Sequence, residues 1–191
     1  MSRTTNVALT PRIVAAARRL WHQRGEDGLT LRAVARAAGT TTATMYQRFP
    51  TKHHLIEAIA ARTQNAMAAS IMRSRDLGHA CQIYLRYARR HRHDYTLFYG
   101  PSFPRFFAQG KPRPGFDWAM EQLARRHGGK PKDYEVTAYA LQNLLHGAAS
   151  MLVHVPKGAL ERAIRESCLL GCKALIARPL PPKKRRQQRT R

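Results

Sequence analysis

Between Thr30 and Lys52 the chain reads TLRAVARAAGTTTATMYQRFPTK, and no other stretch limits the fold as tightly. Leu31, Val34, Ala35 and Ala38 recur at i, i+3, i+4 and i+7, which gives a short helix one apolar face. Thr30 precedes that face as an N-cap, its hydroxyl placed to accept from a first-turn N–H. Gly39 ends the helix, because glycine enters the left-handed conformation of a helix C-terminus without a Cβ clash. Thr41 caps a second short helix in which Met45 and Phe49 turn inward and Thr42, Thr44, Tyr46, Gln47 and Arg48 face out. Two short helices across a tight Gly-containing turn form a helix-turn-helix, whose second helix enters a DNA major groove. Short polar groups at the start of that helix suit base edges: Gln pairs with adenine, and Thr meets a thymine methyl. The expected DNA-contacting set is Thr30, Thr41, Thr42, Thr44, Tyr46, Gln47, Arg48 and Lys52, with Thr30, Tyr46 and Lys52 on phosphates.

Residues 12 to 60 as a whole resemble the DNA-binding domain of TetR-family transcriptional regulators. The resemblance runs from RIVAAARRLWHQRG through LTLRAVARAAG and TATMYQRFPTK to HLIEAIA. Thr30, Ala38, Gly39, Tyr46, Phe49, Thr51 and Lys52 match the family pattern. Thr40 and Ala43 depart from it, standing where an apolar residue and a Gly are usual. The first loosens the turn, and the second alters how closely the reading helix approaches the groove. The resemblance implies an all-α protein with an N-terminal three-helix helix-turn-helix domain and a C-terminal helical ligand-binding and dimerisation domain.

The balance of charge agrees with an anionic partner. Thirty-four Lys and Arg against 11 Asp and Glu leave a net charge of +23, which points to nucleic acid or an anionic surface and does not bear on fold. Residues 1–52 hold nine basic and two acidic residues, and 183–191 hold six basic and none acidic. The middle still carries an excess of ten, so charge is not confined to the reading head. Three cysteines and an N-terminus without an apolar run lead us to expect a cytoplasmic, nucleoid-associated protein.

Residues 1–9 are expected to be a flexible arm, 10–52 the DNA-binding domain, 53–178 the second domain and 179–191 a disordered basic tail. In the first domain Ile13, Ala17, Leu20 and Trp21 form a helical stripe, with Trp21 as the core plug. Pro50 breaks the chain, and Thr51 caps a long helix from about Lys52 to Ser74 that joins the domains. Prolines at 101, 104, 112 and 114 then cut the chain into short pieces ending in a polar loop, QGKPRPG. From Val136 to Val155 no residue carries an Asp, Glu, Lys or Arg side chain, a membrane-span length. Gln142, Asn143, His146, Ser150 and His154 interrupt that run, so it reads as a helix buried on most sides by protein, with no membrane partner.

Tyr87-Ala88, His91, Asp94-Tyr95 and Leu97-Phe98 resemble the WHG-type ligand domain of some TetR-family members, with Leu145-His146-Gly147 in place of the namesake tripeptide. Aromatic density there leads us to expect an apolar pocket for a small-molecule effector, lined by Tyr84, Tyr87, Phe98, Phe103, Trp118 and Tyr139 with Asn143 and His146. The last two helices, near Asp133–Val155 and Lys157–Arg178, are apolar beyond the need of a monomer. By resemblance they form a four-helix homodimer interface through Leu144, Met151, Leu160, Ile164, Cys168 and Leu175.

Catalytic constellations are missing: there is no Gly-rich phosphate loop, no HExxH and no useful pair of carboxylates. Cys168 and Cys172 at i, i+4 read as small buried residues, since zinc normally takes four ligands. No enzyme, metal or cofactor is expected. The sequence therefore predicts a homodimeric regulator, by resemblance a repressor released by its effector, on double-stranded DNA with an inverted-repeat operator. The rival is a non-sequence-specific nucleic-acid-binding or architectural protein, favoured by the overall charge and the tail.

Overall fold

The computed structural model of the chain describes residues 8–25, 27–99 and 113–182, and among them every regular element is a helix. Helix α1 (Leu9–Arg24) carries Pro11 in its first turn, where a missing N–H costs nothing. It ends at Gly25, whose φ of 64° and N–H bond to the Trp21 carbonyl close the last turn. Then come α2 (Leu31–Ala37), α3 (Thr42–Arg48) and the long α4 (Lys52–Met72). Helices α5 (Leu77–Arg90), α6 (Arg92–Phe98) and α7 (Pro114–His127) follow. A 3₁₀ turn (Pro131–Tyr134) leads into α8 (Glu135–Leu152), and α9 (Ala159–Ala177) comes last. The basic tail at 183–191, the arm before residue 8, Phe103 and the QGKPRPG loop up to Pro112 lie outside the described residues.

The described residues divide into two compact units, those of 1–66 and 91–111 and those of 67–90 and 112–191. The sequence reading puts a boundary near residue 52. The first unit instead keeps α4 as far as Ala66 and takes α6 as well. Its core explains why. Ile13, Leu29, Val34, Met45, Leu55 and Ile59 are fully enclosed in one cluster, and Leu97 of α6 belongs to it. Trp21 is not the plug of that core: it is half-buried at the edge, its indole N–H donating to the His93 carbonyl at 3.0 Å. A Trp N–H needs a partner, and this edge supplies one.

In the second unit α8 lies against α5, α7 and α9, and α9 also meets α5. Gly171 marks the close approach of α9 to α8, where a Cβ would stand 3.2 Å from Leu144 Cδ1. Arg89 donates to the Leu152 and Val155 carbonyls, both at 2.8 Å, closing the end of α8. Buried Thr137 accepts from the Leu180 N–H at 2.9 Å and so fixes the chain after α9. Helix α8 is covered less than its sequence predicts. Thr137, Leu141, Leu145, Ala148 and Leu152 face inward, while Tyr139, Leu144 and Met151 are exposed. An apolar run without charges still has two faces, and only one is packed within the chain.

Candidate functional site

The reading head is built from its caps outward. The Thr30 hydroxyl accepts from the Ala33 N–H at 3.1 Å and starts α2. Gly39, with φ of 62°, turns the chain, and the Thr40 N–H returns to the Ala35 carbonyl at 3.0 Å. Arg12 of α1 donates to the Ala38 carbonyl at 2.7 Å, so the turn is braced despite its unusual Thr40. Thr41 caps α3: its hydroxyl accepts from the Thr44 N–H at 3.1 Å and sits 2.9 Å from the Thr44 hydroxyl. Met45 is wholly buried beneath the helix and Phe49 nearly so. The exposed face therefore consists of Thr42, Ala43, Tyr46 and Gln47, with Tyr46 53% exposed.

Two residues of the expected set point elsewhere. Thr44 is half-buried and turned to the cap, and Arg48 donates to the Thr10 hydroxyl of α1 at 2.7 Å. Ala43 takes the place that Thr44 was expected to hold. The offset from buried Met45 carries part of that signal, since 43 and 47, two residues to either side, lie opposite it on the helix. Lys52 opens α4 and is partly buried, and Thr51 stands before it with its hydroxyl 3.4 Å from the His54 N–H.

Behind the head, α6 is bound to α1 through a buried carboxylate. Asp94 is fully enclosed and receives the Arg18 guanidinium on both oxygens, with the His22 ring 2.6 Å from Oδ1. Burial pushes its carboxyl up, but the hydrogen bonds and charges of Arg18 and His22 outweigh that and hold it below the ordinary carboxylate range. The ligand-domain resemblance grouped Asp94 with the effector module. In the structure it belongs to the head.

Residues 13–59 match the family model described as bacterial regulatory proteins, tetR family. That span is the helix-turn-helix just described, from the first buried residue of α1 to the last fully enclosed residue of α4. Residues 13–59 are a TetR-family DNA-binding domain. Solved structures of the same fold extend over most of the chain's length. A TetR variant from Acinetobacter baumannii AYE, solved with minocycline, superposes with a TM-score of 0.61 at 19% identity, covering 86% of this chain and 92% of that one. A regulator from Haemophilus influenzae gives a TM-score of 0.60 at 18% identity, over 88% and 98% of the two chains. NalD, the secondary repressor of the MexAB-OprM multidrug efflux pump in Pseudomonas aeruginosa, gives 0.55 at 18%, over 88% and 98%. No curated protein sequence is significantly similar to the chain.

The described residues singled out for an effector differ in exposure. Tyr84 is buried, its hydroxyl 3.4 Å from the Gln142 amide, while Tyr87, Trp118 and His146 are half-buried. Asn143 is exposed, as is Tyr139, whose ring lies tilted 4.7 Å from that of Phe116 and whose hydroxyl accepts from Arg113 at 3.1 Å. Burial pushes the His146 imidazole below its usual range. Phe98 closes α6, in the other unit, and its side chain lies outside the described set. Of the residues expected between subunits, Leu144, Met151 and Leu160 are exposed and Leu175 is half-buried. Ile164 and Cys168 are turned into the chain's own core.

Cys81, Cys168 and Cys172 are free, buried thiols that lie close together in that core, and Cys168 donates to the Leu144 carbonyl at 3.5 Å. The Cys168 contact lowers the Cys172 thiol, but the Cys81 contact and burial raise it further, to about 12. These are unreactive groups at rest. Among the described residues no three His, Cys, Asp or Glu side chains are placed to hold a metal, and no helix is long and apolar enough to cross a membrane.

Proposed function

We propose that the chain is a homodimeric, sequence-specific DNA-binding repressor acting on cytoplasmic DNA and released from its operator by a small-molecule effector. The observation that carries this is α3: capped, seated on Met45, and presenting Thr42, Ala43, Tyr46 and Gln47 together. Gln47 reads a base edge, Thr42 and Ala43 offer a methyl to thymine, and Thr30, Tyr46 and Lys52 meet phosphates. Leu144, Met151 and Leu160, exposed on α8 and α9, are the apolar surface available to a second copy. Two heads on a two-fold axis require half-sites about 34–36 Å apart, or a multiple, hence an inverted repeat. The minocycline complex of the Acinetobacter protein and the repressor role of NalD support the effector-release reading by likeness of fold.

The test is selection of DNA from a random pool by the full chain, followed by two substitutions. Gln47→Ala is expected to cost about 1–3 kcal/mol at one or two base positions and relax specificity there. Lys52→Ala is expected to weaken all sequences alike and lower the salt slope by roughly one unit per half-site. Identical, sequence-independent losses from both would refute base reading by α3. Failure of the selected duplex to survive excess random DNA would leave the architectural alternative, which the net charge of +23 favours.

A further inference from the structure

The described residues of the second unit form a cavity apart from the effector residues expected from the sequence. That cavity, about 880 Å³, opens between α5, α7 and α9, and none of the eight expected residues lines it. Its size lies within the range of small-molecule sites, roughly 300–1,000 Å³. Leu77, Leu123, Leu169 and Ile176 line it, together with the thiols of Cys81 and Cys172. Leu123, Cys81 and Cys172 are almost fully enclosed, so they form its floor.

The remaining lining is basic. Arg75, Arg125, Arg126 and Lys173 stand against only two carboxylates, Asp76 and Glu166. Asp76 is already occupied: it accepts from the His79 N–H at 2.7 Å and from Arg75 at 3.3 Å. Its carboxyl is held below the ordinary range, by the His79 N–H above all. The side chains of Arg125, Arg126 and Lys173 make no ion pair or hydrogen bond among the described residues. An apolar floor under several uncommitted cations matches a ligand with an apolar body and one anionic head.

We infer that the groove between α5, α7 and α9 is a binding site for an anionic amphiphile, a carboxylate on a hydrocarbon or aromatic body. The apolar body lies over Leu77, Leu123 and Ile176, and the carboxylate is met by Arg126 and Lys173. This inference rests on the effector-responsive reading for its consequence, operator release, but the binding event stands apart from DNA.

Decanoate is the probe, decanol its uncharged counterpart, and the full chain the protein, with binding measured by calorimetry. Decanoate is expected to bind at least about tenfold more tightly than decanol, since a charge-assisted contact is roughly that strong. Combining Arg126→Glu with Lys173→Glu is expected to weaken decanoate by about tenfold or more. The control Arg86→Glu with Arg162→Glu makes the same change in net charge away from the groove, and it should bind decanoate as the parent does. No decanoate binding at millimolar concentration, equal binding of decanol, or equal losses from both double variants would overturn the site. So would conversion of the groove variant to a monomer, which would make a second copy the occupant. Operator binding by the same preparations separates the two ideas: its absence sinks the regulator reading and leaves the decanoate result standing.

Discussion

Asp94 offers the sharpest test of how the head is held together. Its carboxylate is fully enclosed, whereas the Arg18 and His22 side chains that bind it are 33% and 35% exposed. Removing one partner is therefore not equivalent to removing the other. Asp94→Asn keeps the volume and one acceptor, and the partly exposed Arg18 and His22 side chains left behind can rehydrate, so the loss is about 1–2 kcal/mol. Arg18→Leu strands a buried carboxylate with only His22 to hold it. Breaking a buried pair in that direction costs about 3–5 kcal/mol, which the remaining His22 contact brings down to about 2–4. The double variant should then lie closer to Asp94→Asn than to the sum of the two.

The pH dependence follows from the same site. The folded-state carboxyl sits below its unfolded value, so the clamp contributes fully above the ordinary carboxylate range and is lost as pH falls through the folded value. Asp94→Asn should flatten that acid limb. The chain has two tryptophans, and a Trp118→Phe background leaves Trp21, which bonds to His93 beside Asp94, as the reporter of this unit. Urea unfolding followed by Trp21 emission between about pH 3 and 7 reads all three variants. Should Asp94→Asn prove as costly as Arg18→Leu, or the acid limb survive it, the buried carboxylate is not what joins α6 to α1.

Three further outcomes are expected. Thr41→Ala removes the cap of a seven-residue helix and should cost about 1 kcal/mol, seen in denaturation and as weaker operator binding, whereas Thr41→Ser should restore both. Leu144→Glu with Leu160→Glu should give a folded monomer by light scattering, with operator affinity lost; a parent chain that is monomeric at micromolar concentration would contradict the dimer. Deleting 183–191 removes six cations and should lower non-specific DNA affinity in a strongly salt-dependent way while leaving the melting temperature unchanged.

What could be read in the sequence was local. Thr30, Gly39 and Thr41 act within three or four residues of themselves, and the inward turn of Met45 and Phe49 is a matter of helical period. What escaped was contact at long range. Arg12 reaches a carbonyl 26 residues on, Arg48 a hydroxyl 38 residues back, and Arg18 a carboxylate 76 residues away. Periodicity is silent about such partners, and an arginine in a basic chain looks the same whether it faces DNA or a carbonyl. Cys81, Cys168 and Cys172 lay on apolar stripes, but their meeting depended on how α5 and α9 pack. Aromatic density is likewise a property of the chain's order, and it does not say which rings share a cavity.

The return of the chain to its first unit at α6 restricts how this protein can be recombined. A reading head cut after the long helix begins would carry Arg18 and His22 without Asp94, and its core would lack Leu97. The head is therefore not a cassette that can be moved between relatives at a single junction. A functional graft needs three junctions, one within α4 and one on either side of residues 91–99, and its donor and recipient must agree at all three. Variation that alters the second unit just before α6 is thereby coupled, by connectivity alone, to a segment on which the helix-turn-helix unit depends.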